Sequence, residues 1–315
     1  MTTAGKNWAW FAAIVVIIIG LGIYLGTHRR AELGDGFNYS LDELSKVDPS
    51  LIHYKEAEPL QVDLEEVSAL AVTPEGVVYA AGKDAVKVYP MEQTIAVDGT
   101  PTCLAIDAYG VLFVGFTDHI EIVPKNGERT QIVVPSDRAY LTSLAVDEDY
   151  VFAADAGSRK IWRFSHEGGE PFEIGREDGG GRRGFNIPSA HFDIALASDG
   201  SLWAVNPGYH ALENHSADGA FLSTWGTSSV AIEGFGGCCN PVAIALLPDG
   251  GIVTAEKGLP RVKIHNPDGS LRCVVAAPTE FSGKGSGLDL AVDAAGRILV
   301  LDPDRKQIRI FEEKP

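Results

Sequence analysis

Residues 240 to 269 read NPVAIALLPDGGIVTAEKGLPRVKIHNPDG, from Asn240 to Gly269. Within them Ile244-Ala245-Leu246 is a short apolar run, Asp249-Gly250 is a turn, and Ile252-Val253 is a second apolar run. Val262-Lys263-Ile264 then alternates apolar and polar side chains with the period of two that turns one face of a strand toward a core. Asp268-Gly269 is a hairpin turn, and Leu271-Arg272-Cys273-Val274-Val275 follows as a fourth strand. The segment reads as four short antiparallel strands joined by tight turns.

The same unit recurs along the chain. Its first strand is Leu70-Ala71-Val72, Leu104-Ala105-Ile106, Leu144-Ala145-Val146, Ile194-Ala195-Leu196, Ile244-Ala245-Leu246 and Leu290-Ala291-Val292, with the alanines 34, 40, 50, 50 and 46 residues apart. Four strands per unit and six units predict an all-β fold, a six-bladed β-propeller over residues 60–315. The 35 glycines and 17 prolines suit a chain that turns this often. The sixth copy has three strands before Pro315, and Leu60-Gln61-Val62-Asp63-Leu64 has the length and alternation to supply the fourth, removing an exposed sheet edge.

Ahead of the ring, residues 1–7 are a short tail, and residues 8–26, WAWFAAIVVIIIGLGIYLG, carry no charge. As a helix these 19 residues would span roughly 28 Å, close to the hydrocarbon thickness of a bilayer, with Trp8, Trp10 and Tyr24 placed for the interface. The run exceeds a signal-peptide core and ends in Thr27-His28-Arg29-Arg30, without a small-x-small cleavage site. The expectation is an uncleaved signal anchor: a single-pass protein of the cell membrane with the ring outside the cytoplasm. Residues 27–59 read as a stalk, with Ser40-Leu41-Asp42-Glu43 as a capping box that starts a short helix through Ser45.

The 26 basic and 43 acidic side chains give a net charge of −17, and residues 31–315, with 23 basic and all 43 acidic groups, stand at −20. Such a field repels phosphate backbones, so nucleic acid is not an expected partner. Four cysteines in 315 residues are too few for a disulfide framework. No nucleotide-binding, zinc-protease or serine-hydrolase fingerprint occurs.

Residues 240–269, residues 288–311 (LDLAVDAAGRILVLDPDRKQIRIF) and the third copy, through Leu144-Ala145-Val146-Asp147, Ala154-Asp155 and Arg159-Lys160-Ile161, resemble the NHL repeat. The first two copies have Gly82 and Phe116 where the others carry an acidic or amide residue. The resemblance implies a six-bladed propeller. It spans RNA-binding propellers, extracellular sensors, a zinc-dependent lyase and scaffolds, so it implies little about activity.

In a propeller the loops leading into the innermost strands form one mouth of the axial channel. Cys103, His191, Asp193, Cys238, Cys239, Asn240 and Asp289 fall there, together with Thr142 and Ser143. The segment Gly234-Phe235-Gly236-Gly237-Cys238-Cys239-Asn240-Pro241 is the least repeat-like, and Cys103 is expected to face it across the opening. Adjacent cysteines can hold a soft metal such as Cu(I) or zinc with His191, form a vicinal disulfide, or pack as small buried side chains. Glu256-Lys257 stands where other copies have Asp155, Asn206 and Asp302, either as a turn-holding acid or as a charge pair facing a ligand. The sequence thus supports a membrane-anchored binding or scaffold module that takes a protein or small molecule at its channel mouth. The alternative is a metal- or thiol-dependent enzyme or redox protein centred on Cys238 and Cys239.

Overall fold

A computed structural model describes residues 3–27, 41–166, 168–176, 183–282 and 287–315. It divides into two compact units, Met1–Glu43 and Leu44–Pro315. The second is the ring: six antiparallel sheets, five of them strictly sequential four-stranded meanders. The inner strands are Ala69–Val72, Cys103–Ile106, Leu141–Val146, Ile194–Leu196, Ala243–Leu246 and Asp289–Val292. They touch one another in cyclic order, the sixth returning to the first, so the architecture is a closed six-bladed β-propeller.

The recurring triplets form the inner strands because their apolar side chains pack between adjacent blades, the first residue of each triplet buried and the third half-buried. Gly76, Gly110, Gly200, Gly250 and Gly296 end the first turn of five blades at φ between 77° and 85°, a region that favours glycine. Phe113, Phe152, Phe192 and Phe235 are fully buried in the core between blades, each contributing about 1.5–3 kcal/mol.

The closing blade differs from expectation. Leu60–Gln61 does pair with the last strand, opposite Ile308 and Gln307. The edge begins earlier, however, with Tyr54–Glu56 opposite Glu313 to Phe311. Ala57-Glu58-Pro59 interrupts the two pieces, and this break hid the first from a reading based on alternation. Arg309, 1 % exposed, clamps the joint by a two-pronged ion pair with Glu56 at 2.8 and 2.6 Å. The segment assigned to a stalk up to residue 59 is therefore sheet from Tyr54, and Ile52 already bridges to Val274 in blade 5.

In the first unit, Thr3–Thr27 is one continuous 25-residue helix, and every side chain described along it is exposed. Among the described residues no helix is long and apolar enough to cross a membrane. The short helix expected through Ser45 covers Leu41–Leu44, and its capping Ser40 lies outside the described residues.

Candidate functional site: the channel mouth

The register of the inner strands puts Ala69, Cys103, Ser143, Asp193, Ala243 and Asp289 at equivalent positions, each two residues before the alanine of its triplet. At this level blades 4 and 6 each contribute a carboxylate. Asp193 accepts from the N–H of Ile194 at 2.9 Å and, with its other oxygen, from the N–H of Ile244 in blade 5 at 2.7 Å. Asp289 repeats the arrangement with Leu290 and with Leu70 of blade 1, both at 2.8 Å. Each aspartate thus joins two neighbouring blades at the axis. Between blades 3 and 4 hydroxyls do similar work: Ser143 accepts from the N–H of Ile194 at 3.2 Å, and Thr142 donates to the carbonyl of Phe192 at 2.6 Å.

Above this ring lies a cavity of about 290 Å³ lined from all six blades, by Ser68, Thr102, Thr142, His191, Val242, the two aspartates and their neighbours. A larger groove of about 760 Å³ opens between blades 1 and 2 alone and is lined mostly by strand and turn residues such as Thr73, Asp107 and Lys125. The axial cavity combines convergence of all six blades with buried ionisable groups, which this groove does not. Burial holds both aspartic carboxyls above the ordinary carboxylate range, and the charge of Asp289 adds to the effect on Asp193. Both therefore keep their protons to a higher pH than ordinary carboxyls do, and each responds to the charge of the other. His191 is pushed down to about 4, first by burial and then by the charge of Lys257, so a neutral imidazole faces the cavity at neutral pH.

Three of the residues expected at the mouth, His191, Asp193 and Asp289, therefore meet in one cavity. Cys103 does not act with them as a reactive thiol. Burial pushes it up to about 12, and its sulfur packs against Leu144 and fills the space left by Gly115, where a Cβ would collide with it. It does not face the paired cysteines as expected, for Cys238, Cys239, Asn240, Glu256 and Lys257 line none of this cavity.

Asn240 is a clamp. Its side chain donates to the carbonyls of Gly236 at 2.6 Å and Lys257 at 3.0 Å, and accepts from the N–H of Lys257 at 2.9 Å. The Lys257 amine donates to the Ser189 hydroxyl at 2.9 Å. Glu256, 1 % exposed, faces inward rather than toward a ligand. It holds Arg261 at 2.6 Å and Lys263 at 2.9 Å and accepts from the N–H of Gly236 at 3.0 Å. These two buried cations in turn donate to the carbonyls of Ala231, Ile232 and Gly234, strapping the loop before blade 5 onto its third strand. Among the described residues no group of three or more His, Cys, Asp or Glu side chains is arranged to hold a metal ion, so Cys238, Cys239 and His191 do not assemble as a soft-metal site.

The sequence reading missed the partners of the strand-end acids, although a signal was present. Seven residues after Asp155, Asn206, Glu256 and Asp302 come Trp162, Glu213, Lys263 and Arg309. Each reaches back to its strand-end residue: Trp162 to Asp155 at 3.0 Å, Asn206 to Glu213 at 2.7 Å, Lys263 to Glu256 at 2.9 Å, and Arg309 to Asp302 at 3.9 Å. A polar residue followed at that spacing by a second donor or acceptor marks a turn bracket.

No family model and no curated protein matches this sequence. Among solved structures the chain is similar to a streptogramin B lyase, with 12 % identity, a TM-score of 0.58, and coverage of 83 % of this chain and 98 % of that one. It is similar to virginiamycin B lyase from Staphylococcus aureus at 15 % identity and TM-score 0.54, over 83 % of this chain and 88 % of that one. The WD40 β-propeller domain of Doa1 aligns at 17 % identity and TM-score 0.54, over 79 % of each chain. At these identities the likeness is one of fold, and the fold it shares with them is the β-propeller.

Proposed function

We propose that this protein is a membrane-anchored, NHL-like propeller that binds a ligand at the axial mouth without catalysing its conversion. The observation that carries the reading is the cavity to which all six blades contribute and in which two buried aspartates with raised pKa and a neutral histidine face the same space. That set accepts more hydrogen bonds than it donates. It suits a ligand, free or at the tip of a protein loop, that presents an amine or several N–H and O–H groups.

Membrane attachment is supported by the 19 uncharged residues within a 25-residue helix whose described side chains, Trp8, Phe11 and Ile17 among them, are all exposed. A helix apolar all round is stable only when something covers it, and a bilayer does so. An extracytoplasmic ring is part of the same proposal. The acidic balance argues against nucleic acid as the ligand. The lyases whose fold it shares act on streptogramin-type compounds by name, and at 12–15 % identity the likeness extends to the fold alone.

Thermal-shift measurements on the full chain in detergent test the site, using a panel of small amines, polyols and carboxylates. Amines or polyols are expected to raise the melting temperature, and Asp193→Asn to abolish the rise. Stabilisation by carboxylates alone would overturn the assignment. Labelling of the exposed Cys238 by an impermeant maleimide in intact cells tests the orientation. Labelling only after lysis would place the ring on the cytoplasmic side.

A further inference from the structure

The four cysteines are all free thiols, but they are not alike. Cys103 and Cys273 lie in separate core clusters, with burial pushing them up to about 12 and about 11, so neither supplies thiolate at neutral pH. Cys238 is exposed and Cys239 buried, and their sulfurs stand 3.0 Å apart, inside van der Waals contact and short of a bond. The turn that carries them is held at both ends. Gly236 donates to Glu256 on one side, and the Asn240 side chain ties Gly236 to Lys257 on the other. Gly237, at φ 77°, supplies the left-handed residue that lets the chain turn there. Burial and the neighbouring Cys238 raise the Cys239 thiol, while the Lys257 ammonium and the Ser189 hydroxyl favour its thiolate.

We propose that Cys238 and Cys239 form a thiol–disulfide exchange site that takes an oxidised disulfide of the glutathione class and closes to an intrachain bond between adjacent residues. The thiolate of Cys238, the accessible sulfur, attacks one sulfur of the donor, breaking the donor S–S bond and releasing one thiolate. Cys239, on giving up its proton, attacks the Cys238 sulfur and displaces the second donor thiol. Two protein S–H groups are oxidised, one donor S–S bond is reduced, and the two protons end on the two released thiols. Lys257 stands where it stabilises the attacking Cys239 sulfur, and Ser189 orients it. The proposal does not rest on the ligand reading, because none of these groups lines the axial cavity, although the charge of Lys257 also reaches His191 there.

The test is intact-mass and peptide mapping of the full chain in detergent, reduced, freed of reductant, and then treated with excess oxidised glutathione. The expected product is lighter by two hydrogens, carries its bond within the peptide holding Cys238 and Cys239, and leaves Cys103 and Cys273 alkylatable after denaturation. Cys239→Ser should retain one glutathione on Cys238, and Cys238→Ser should stay unmodified because its remaining thiol is covered. Three results each overturn the proposal: both cysteines still alkylatable, a lasting glutathione adduct on the unsubstituted chain, or a bond to Cys103 or Cys273.

Discussion

In blades 3 to 6 the second and third strands are joined by four-residue turns, from Ala156 to Arg159 and at the corresponding places, whereas Lys83-Asp84 and Thr117-Asp118 suffice in blades 1 and 2. The longer turns leave backbone N–H groups outside the ladder, and in blades 3 and 6 the acid at the strand end takes one of them up. Asp155 accepts from the N–H of Ser158 at 3.0 Å, and Asp302 from that of Arg305 at 3.3 Å. The shorter turns need no such side chain: Lys83 and Asp84 donate to the carbonyls of Glu65 and Gly99, Phe116 donates to that of His119, and Gly82 and Phe116 stand where the other blades have the polar residue. At Gly82 a side chain has no room, since the backbone of Glu65 lies 2.6 Å from where its Cβ would be. In blades 3 and 6 the recurring acid therefore serves its own turn, whereas Asn206 and Glu256 at the same position accept from Asn186 and Gly236 in the loops before their blades. The carboxylates that line the axial cavity stand at a different position, two residues before the alanine of the inner-strand triplet.

The contrast can be broken most severely in blade 5. Glu256→Ala leaves Arg261 and Lys263 buried without their counter-charge and should destabilise the ring by about 3–5 kcal/mol in chemical denaturation. The compact side of the comparison is probed by Gly115→Ala, which drives a methyl group into the Cys103 sulfur. A loss of roughly 1–3 kcal/mol is expected, most of it recovered in the Gly115→Ala, Cys103→Ala double variant. Failure of that recovery would show that Gly115 is needed for its backbone rather than for space.

The third effect is on pH dependence. Asp193 and Asp289 have folded pKa values above their unfolded ones, so the ring binds more protons than the unfolded chain between about pH 4 and 7. Their contribution is fully present below that window and is lost as pH rises through it. Asp289→Asn should flatten the stability profile there by on the order of 1–2 kcal/mol, and an unchanged slope would show that its carboxyl is not held above the ordinary range. Smallest of all is Asp63→Ala. It removes an ion pair to Lys87 from a fully exposed carboxylate in blade 1 and should leave the melting curve unmoved.

Much of this was legible in the amino-acid order. The alanine-centred triplets specify the inner strands because a strand covered on both faces must be apolar throughout, and six of them make a ring. Asp193, Asp289 and His191 could be assigned to the mouth because each directly precedes or opens such a strand. The blade 5 approach misled by the same logic. Counting back from Ala245 puts Cys238, Cys239 and Asn240 at the mouth, but residues 227 to 237 fold back onto Arg261 and Lys263, and this detour takes the cysteines off the axis. Spacing along a chain does not reveal a loop held by its own carbonyls. Nor does alternation reveal an edge strand as short as Tyr54–Glu56, whose place is fixed by Arg309 from the far end of the sequence.

That last contact spans 253 residues. During synthesis the ribosome releases residue 56 long before residue 309, so blades 1 to 5 can each form as they emerge while the N-terminal strand waits unpaired. Closure is therefore a late, single event with a long loop to bring together, and it depends on the final strand being complete. A nascent chain halted even a few residues before Phe311 would hold nearly every blade and still lack a ring.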